Sequence, residues 1–142
     1  MDWKELHAGI ARTMQYFCSE YKSDRLFKMG LQSLQHIEET WAPKLLAPDP
    51  HKLIRCLEDL SILTHAQIIL HSSLARKASS RFLNFIRTDH PQLDPPEWHK
   101  FITVKQENCE TRVGERPLDY PGNLKEKYEA HNKDYEGVYQ ET

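Results

Sequence analysis

Hydrophobic residues recur at helical spacing through the first half of the chain. Trp3, Leu6, Ile10, Met14, Phe17 and Tyr21 fall at three- and four-residue steps, while Lys4, Glu5, Arg12, Glu20 and Lys22 lie between them. That spacing predicts an amphipathic helix with one buried stripe. Ser23-Asp24 interrupts it, and either side chain suits the cap of a new helix. Phe27, Leu31, Leu34, Ile37 and Trp41 repeat the stripe, and Pro43 ends it. Asp49-Pro50 then pairs a capping carboxylate with a proline whose missing N–H costs nothing at a helix start. A third helix is expected from there to about Lys77. Its stripe is Leu53, Leu57, Leu60, Leu63, Gln67, Leu70 and Leu74, widened by Ile54, Cys56, Ile62, Ile68 and Ile69. A helix apolar around so much of its circumference should meet partners on more than one side.

The pattern weakens after Ser80. Residues 81–87 continue helical spacing faintly, and the prolines of His90–Pro96 exclude regular structure there. Phe101–Lys105 is β-branched and aromatic, which predicts a short strand. Asn108–Glu110 can turn it back so that Thr111–Val113 pairs with it. One short helix is expected within Asn123–Asn132. The remaining tail is polar, with Tyr120, Tyr128, Tyr135 and Tyr139 among charges. The expected fold is all-α: a three-helix up-down bundle, spectrin-repeat-like, with an irregular Pro-rich loop over residues 1–100. Residues 101–142 add a small β-hairpin and a polar tail that packs on the bundle or on a partner.

Composition narrows the function classes. The 142 residues carry 19 basic and 21 acidic side chains, a formal charge of −2. That balance removes the main argument for nucleic-acid binding. Residues 101–142 hold six basic and nine acidic side chains, so the tail is the acidic part. The five glycines include no G-x-G pair and no P-loop, so a self-contained nucleotide-cofactor enzyme is not expected. Cys18, Cys56 and Cys109 are odd in number and widely spaced, which argues for a reducing compartment. With no signal-peptide pattern and no long apolar run, a cytoplasmic location is expected.

Candidate chemistry is sparse. The eight histidines are scattered, and His65 and His71 lie six residues apart, not at the four-residue step of a zinc helix. Ser79 and Ser80 lack a nucleophile elbow. Glu58, Asp59 and Asp89 show no catalytic pairing in sequence. Arg76 and Lys77 are placed to meet the negative end of the third helix. Trp98, after Pro96, is placed to anchor the loop on the bundle. No catalytic, cofactor-binding or metal-ligating residue is expected.

The order of residues from Arg76 to Lys100 is distinctive: Ser80-Arg81, then Arg87-x-Asp89-x-Pro91, then Trp98. It resembles the C-terminal helical domain of the succinate dehydrogenase, fumarate reductase and adenylylsulfate reductase flavoproteins. In that family Glu-Ser-Arg-Gly-x-His precedes Arg-x-Asp-[Tyr or Phe]-Pro and a Trp. Leu6, Met14, Phe17, Leu26, Gly30 and Leu31 are similar to its first two helices, and Phe101–Lys105 to its closing strand. The likeness covers residues 3–120. The chain departs from the pattern at the glutamate (Ala78 or Ser79 here), at the glycine (Phe82) and at the unmatched histidine. One extra residue lies between Arg81 and Asp89. These departures place it nearer the reductases acting on sulfur compounds.

The resemblance implies a non-catalytic part of an FAD-dependent, electron-transferring oxidoreductase. The FAD and the chemistry would belong to domains upstream, and none of their motifs maps onto this chain. It implies docking against a flavin-binding domain or subunit, and a partner subunit such as an iron–sulfur protein. Arg81, Arg87, Asp89 and Trp98 are the candidate docking residues, because a guanidinium fork suits bidentate pairing. An internal ion pair tying the loop to the bundle is the other role open to Arg81, Arg87 and Asp89. A free-standing helical interaction module is the alternative function. In isolation, an exposed docking face would favour a homo-oligomer.

Overall fold

The computed structural model describes residues 1–108 and 110–136, and the side chains of residues 1–108 and 110–131. Four α-helices dominate it: α1 (Trp3–Phe17), α2 (Asp24–Thr40), α3 (Pro50–Ala75) and α4 (Leu124–Glu136). Short strands β1 (Tyr21–Lys22) and β2 (Ile86–Arg87) pair in parallel. Strands β3 (Lys100–Glu107) and β4 (Glu110–Pro117) form an antiparallel hairpin. Single 3-10 turns occupy Ala42–Lys44 and Pro96–Trp98. The chain is thus mostly helical, with two small sheets beside the helices.

Each long helix starts where a short polar side chain satisfies an orphan N–H. Asp2 accepts from Lys4 N at 3.0 Å, Ser23 from Leu26 N at 3.3 Å, and Asp49 from Lys52 N at 2.8 Å. Pro50 takes the first position of α3 as expected. The α2 helix stops before Pro43, and α3 stops at Ala75, two residues earlier than the spacing predicts.

The three long helices pack pairwise around one core. Leu6 and Ile10 from α1, Phe27, Leu34 and Ile37 from α2, and Leu63, Ala66 and Leu70 from α3 fill it. Neighbouring positions give the sense of each helix. Thr13 Oγ1 lies 3.1 Å from Ser33 Oγ, and Gly9 lies under the Trp41 ring, so α1 and α2 run opposite ways. Gln67 Nε2 donates to Glu38 at 2.6 Å and Lys77 Nζ to Asp24 at 2.6 Å, so α3 runs opposite to α2. Two glycines permit this approach. A Cβ on Gly9 would lie 2.6 Å from Trp41 Cζ3, and one on Gly30 would lie 2.8 Å from Phe17 Cβ and 2.9 Å from Leu70 Cδ1.

Five expectations need correction or extension. Tyr21 belongs to the first stripe by spacing but is exposed, because α1 ends at Phe17. Leu53 and Leu57 fall on the α3 stripe by spacing, yet both are exposed, as are Ile54, Ile62, Ile68 and Ile69. The core needs only one flank of α3, and two helices cannot cover the rest. Residues 81–87 are not helical. Arg76 leaves α3 in an extended conformation, and Ser80 exchanges backbone hydrogen bonds with Phe85 at 2.7 and 2.9 Å across a tight reversal. Asn84 sits there at φ 48°, a left-handed position its short polar side chain tolerates. The hairpin is longer than propensity predicts, reaching from Lys100 to Pro117, with Asn108 at φ 52° beside the turn. Helix α4 covers the expected short helix and runs beyond it. Tyr139 lies outside the described residues, as does the Tyr135 side chain.

The close seam at Gly30 generates a prediction. Gly30→Ala should destabilise the fold by about 1–3 kcal/mol, because the added methyl forces Phe17 and Leu70 apart. Urea unfolding monitored by circular dichroism measures it. An unchanged midpoint would show that the helices do not approach this closely.

Candidate docking surface and its buried arginine

Arg87 is the only charged residue whose side chain is wholly buried among the described residues. Its place follows from the reversal at 80–85, which returns the chain to the end of α3 and pairs β2 with β1. All five guanidinium N–H donors are used. Nε donates to Asp89 Oδ1 at 2.8 Å and Nη2 to Asp89 Oδ2 at 2.9 Å, a bidentate fork. Nη2 also donates to Asp24 Oδ1. Nη1 donates to the carbonyls of Ser73 at 3.0 Å and Arg76 at 2.7 Å, two orphan acceptors of the last α3 turn. One cation therefore meets the negative end of α3 and the carboxylate on the first residue of α2.

The carboxylates are held in turn. Asp89 Oδ2 accepts the backbone N–H of Asp24 at 2.8 Å, so it also faces the positive start of α2. Lys77 Nζ donates to both Asp24 oxygens, at 2.6 and 2.8 Å. The hydrogen bond from Arg87 holds the Asp89 carboxyl well below the ordinary range, against the opposing effect of burial. The hydrogen bond from Lys77 lowers the Asp24 carboxyl in the same way, and Arg87 adds to it. Buried Ser79 fixes the loop: its Oγ accepts Arg87 N at 2.8 Å and donates to the His90 carbonyl at 2.8 Å. The guanidinium also lies 5.2 Å from the Phe27 ring centroid, and Phe27 stacks on Phe85 at 6.3 Å.

Asp24, Asp89 and His90 bring their ligand atoms within 4.8 Å of one another, a grouping that could suit a metal ion. Both carboxylates already face the cations of Arg87 and Lys77, so their charge is neutralised within the chain. The group reads as an ion-pair network.

The four candidate docking residues therefore separate. Arg87 and Asp89 form the internal ion pair, the second of the two roles open to them, and Arg87 presents no surface to a partner. Arg81 is exposed at the start of the reversal, where its backbone N–H donates to Asp94 Oδ2 at 3.1 Å. Phe82 and Leu83 follow it, 69% and 68% exposed. Trp98 is half-buried: its carbonyl accepts from Arg76 Nη1 at 3.2 Å, and Lys100 Nζ sits 4.2 Å from its ring centroid. Arg76 Nη2 lies 3.6 Å from Asp94, while burial pushes the Arg76 guanidinium down and leaves its Nε without a partner. Sequence reasoning missed Asp24 and Ser79 as members of this network. Asp24 carries a signal only as a capping residue, since its partners lie 53 to 65 residues away.

Arg87→Ala should destabilise the protein by about 3–5 kcal/mol, since it leaves two carboxylates and two helix-end carbonyls unpaired. Thermal unfolding at neutral pH tests this. The two lowered carboxyls also set an acid limb. Between the folded and unfolded values the unfolded chain binds more protons, so stability rises with pH there. The contribution is complete above about pH 4, the unfolded Asp value, and is lost as pH falls below it. Asp89→Asn should flatten that limb in a pH series of unfolding midpoints; an unchanged slope would contradict the pairing.

Residues 7–135 match the family model described as "Fumarate reductase flavoprotein C-term". No curated protein matches the chain significantly in sequence. Among solved structures, E. coli quinol fumarate reductase FrdA superposes with a TM-score of 0.75 at 19% identity, over 84% of this chain and 21% of that one. Adenylylsulfate reductase from the hyperthermophilic Archaeoglobus fulgidus superposes with a TM-score of 0.77 at 22% identity, over 84% of this chain and 20% of that one. These likenesses concern the fold, and the chain spans about one fifth of the length of these solved relatives. With the family match running from α1 into α4, the chain belongs to the fumarate reductase flavoprotein C-terminal domain family.

Proposed function

We propose that the chain serves as a non-catalytic C-terminal helical domain of an FAD-dependent reductase of the fumarate reductase, succinate dehydrogenase or adenylylsulfate reductase kind. It docks against the flavin domain and helps to form the surface for a partner subunit such as an iron–sulfur protein. The observation that carries this reading is the extent of the family match, residues 7–135, against a coverage of only one fifth of the solved relatives. An up-down, spectrin-repeat-like bundle, a role in electron transfer and a cytoplasmic location belong to the same proposal. No helix among the described residues is long and apolar enough to cross a membrane.

The residues present do not fit the FAD that such a parent enzyme implies. A dinucleotide pyrophosphate needs a glycine-rich turn at a helix start. Here Gly9 and Gly30 are consumed by helix packing, Gly114 faces Thr103 Oγ1 at 3.0 Å within the hairpin, and Gly122, at φ 62° ahead of α4, stands alone without the further glycines of a G-x-G turn. The cleft between α1 and α3 is about 210 Å³ and lined mainly by apolar side chains, among them Ile10, Met14, Ile62 and Ile69, with His7 and His65 beside them and no glycine-rich turn. On this reading FAD is held by another domain, and no chemical step is routed through this one.

The exposed Phe82 and Leu83 favour a second reading, a free-standing helical interaction module. Purification of the tagged chain from its native cells distinguishes the two. A flavin-binding polypeptide with a visible flavin absorbance band should accompany it; exclusive recovery of proteins without flavin would support the module instead. The chain purified alone should be colourless and without reductase activity. It should also self-associate as concentration rises, and sedimentation as a clean monomer at high concentration would contradict an exposed docking face.

A further inference from the structure

An exposed strip of α3, with Leu53 and Leu57 separated from Ile68 by small hydroxyl residues, lies away from the residues that the family likeness singles out. Leu53, Leu57, Ser61, Thr64 and Ile68 follow one another at three- and four-residue steps and are all exposed, and half-buried Ser72 continues the line. Ile54, 57% exposed, flanks this line. From Ser61 to Ala75 the helix carries no Asp, Glu, Lys or Arg. Burial lowers the His71 imidazole's proton affinity, which keeps the strip uncharged near its end. A solvated helix face normally carries charge. This one has the chemistry of an interface centre, where charged residues are depleted.

The size of the strip says what covers it. From Leu53 to Ser72 the strip is about 30 Å long, and a helix with side chains is about 10 Å wide. Its footprint is therefore about 300 Å² per side. A total near 600 Å² falls short of the about 1,200–2,000 Å² typical of a stable free-standing complex. It reaches the lower end of the about 600–1,500 Å² buried between domains held together within one protein. The solved relatives supply that context, since about four-fifths of each lies outside the region this chain matches.

We infer that the outer face of α3, centred on Leu57 and Ile68, is the surface that docks onto an apolar, uncharged face of a flavin-binding domain. The inference rests on the docking reading above and moves its centre from Arg87 and Asp89 to α3. Arg87 and Asp89 hold α3 in place from inside. Arg81, Phe82 and Leu83 form a separate exposed patch.

Photocrosslinking in the native cells tests this. A benzoylphenylalanine probe replaces Leu57 in one full-length variant, Ile68 in a second and Phe82 in a third, and crosslinked peptides are identified by mass spectrometry. Probes at 57 and 68 should capture peptides of a flavin-binding domain, whether in the same polypeptide or a separate one. Ile68→Glu should reduce capture by the probe at 57 at least tenfold while the circular dichroism spectrum is retained. Capture of flavin-domain peptides at 82 but not at 57 or 68 would overturn the α3 assignment and leave the docking reading standing. Capture of a second copy of this chain at 57 and 68 would also overturn it. Failure of all three probes to reach a flavin-binding domain would overturn the docking reading together with the inference.

Discussion

A buried guanidinium is tolerable only when its charge and all its donors are met. Arg87 meets that condition with two carboxylates and two helix-end carbonyls. Its partners come from the start of α2, the end of α3 and the loop that carries it. The irregular residues 76–99 have one path because this group admits one arrangement. Ser79 pins the same loop through its hydroxyl, and the Lys22 carbonyl accepts Thr88 N at 2.9 Å beside it. Remove the cation and three chain segments lose their common partner.

The same constraint divides structure from interface. The residues that carry the family likeness in Arg87-x-Asp89 are spent on internal bonds. What reaches solvent is different in kind: an α3 face without Asp, Glu, Lys or Arg from Ser61 onward, an apolar reversal at Phe82 and Leu83, a two-stranded hairpin with every β4 residue exposed, and α4. α4 touches the rest through Tyr128, which stacks on Tyr120 at 5.4 Å and meets the His99 ring edge-on at 6.0 Å. A two-stranded hairpin and a polar helix are marginal alone in water. Such elements gain stability from a neighbour.

The three long helices, the caps of α2 and α3, and the hairpin were legible in the sequence because each rests on local chemistry. Three-residue and four-residue steps, Asp49-Pro50 and the β-branched run at Phe101–Lys105 act over a few residues. The reversal at 80–85 was not legible. Its faint helical spacing was real, but α3 ends before it, and hydrogen bonds between Ser80 and Phe85 outweigh the residual pattern. The parallel pair β1–β2 joins residues 65 positions apart, and two-residue strands leave no periodic signal.

By itself the sequence determined a mostly helical chain without a G-x-G turn, and the order Ser80-Arg81, Arg87-x-Asp89-x-Pro91, Trp98 that resembles the family's pattern. It left Arg87 and Asp89 with two roles, because a guanidinium fork pairs as well with a partner as with its own chain. The tertiary structure pairs Arg87 with Asp89, Asp24 and the end of α3 and leaves it no exposure, while the Asp89 side chain stays 31% exposed. It also decided which side of an almost uniformly apolar α3 is core. Periodicity states how many faces can be buried, while packing against α1 and α2 selects the one that is, and leaves the other at the surface.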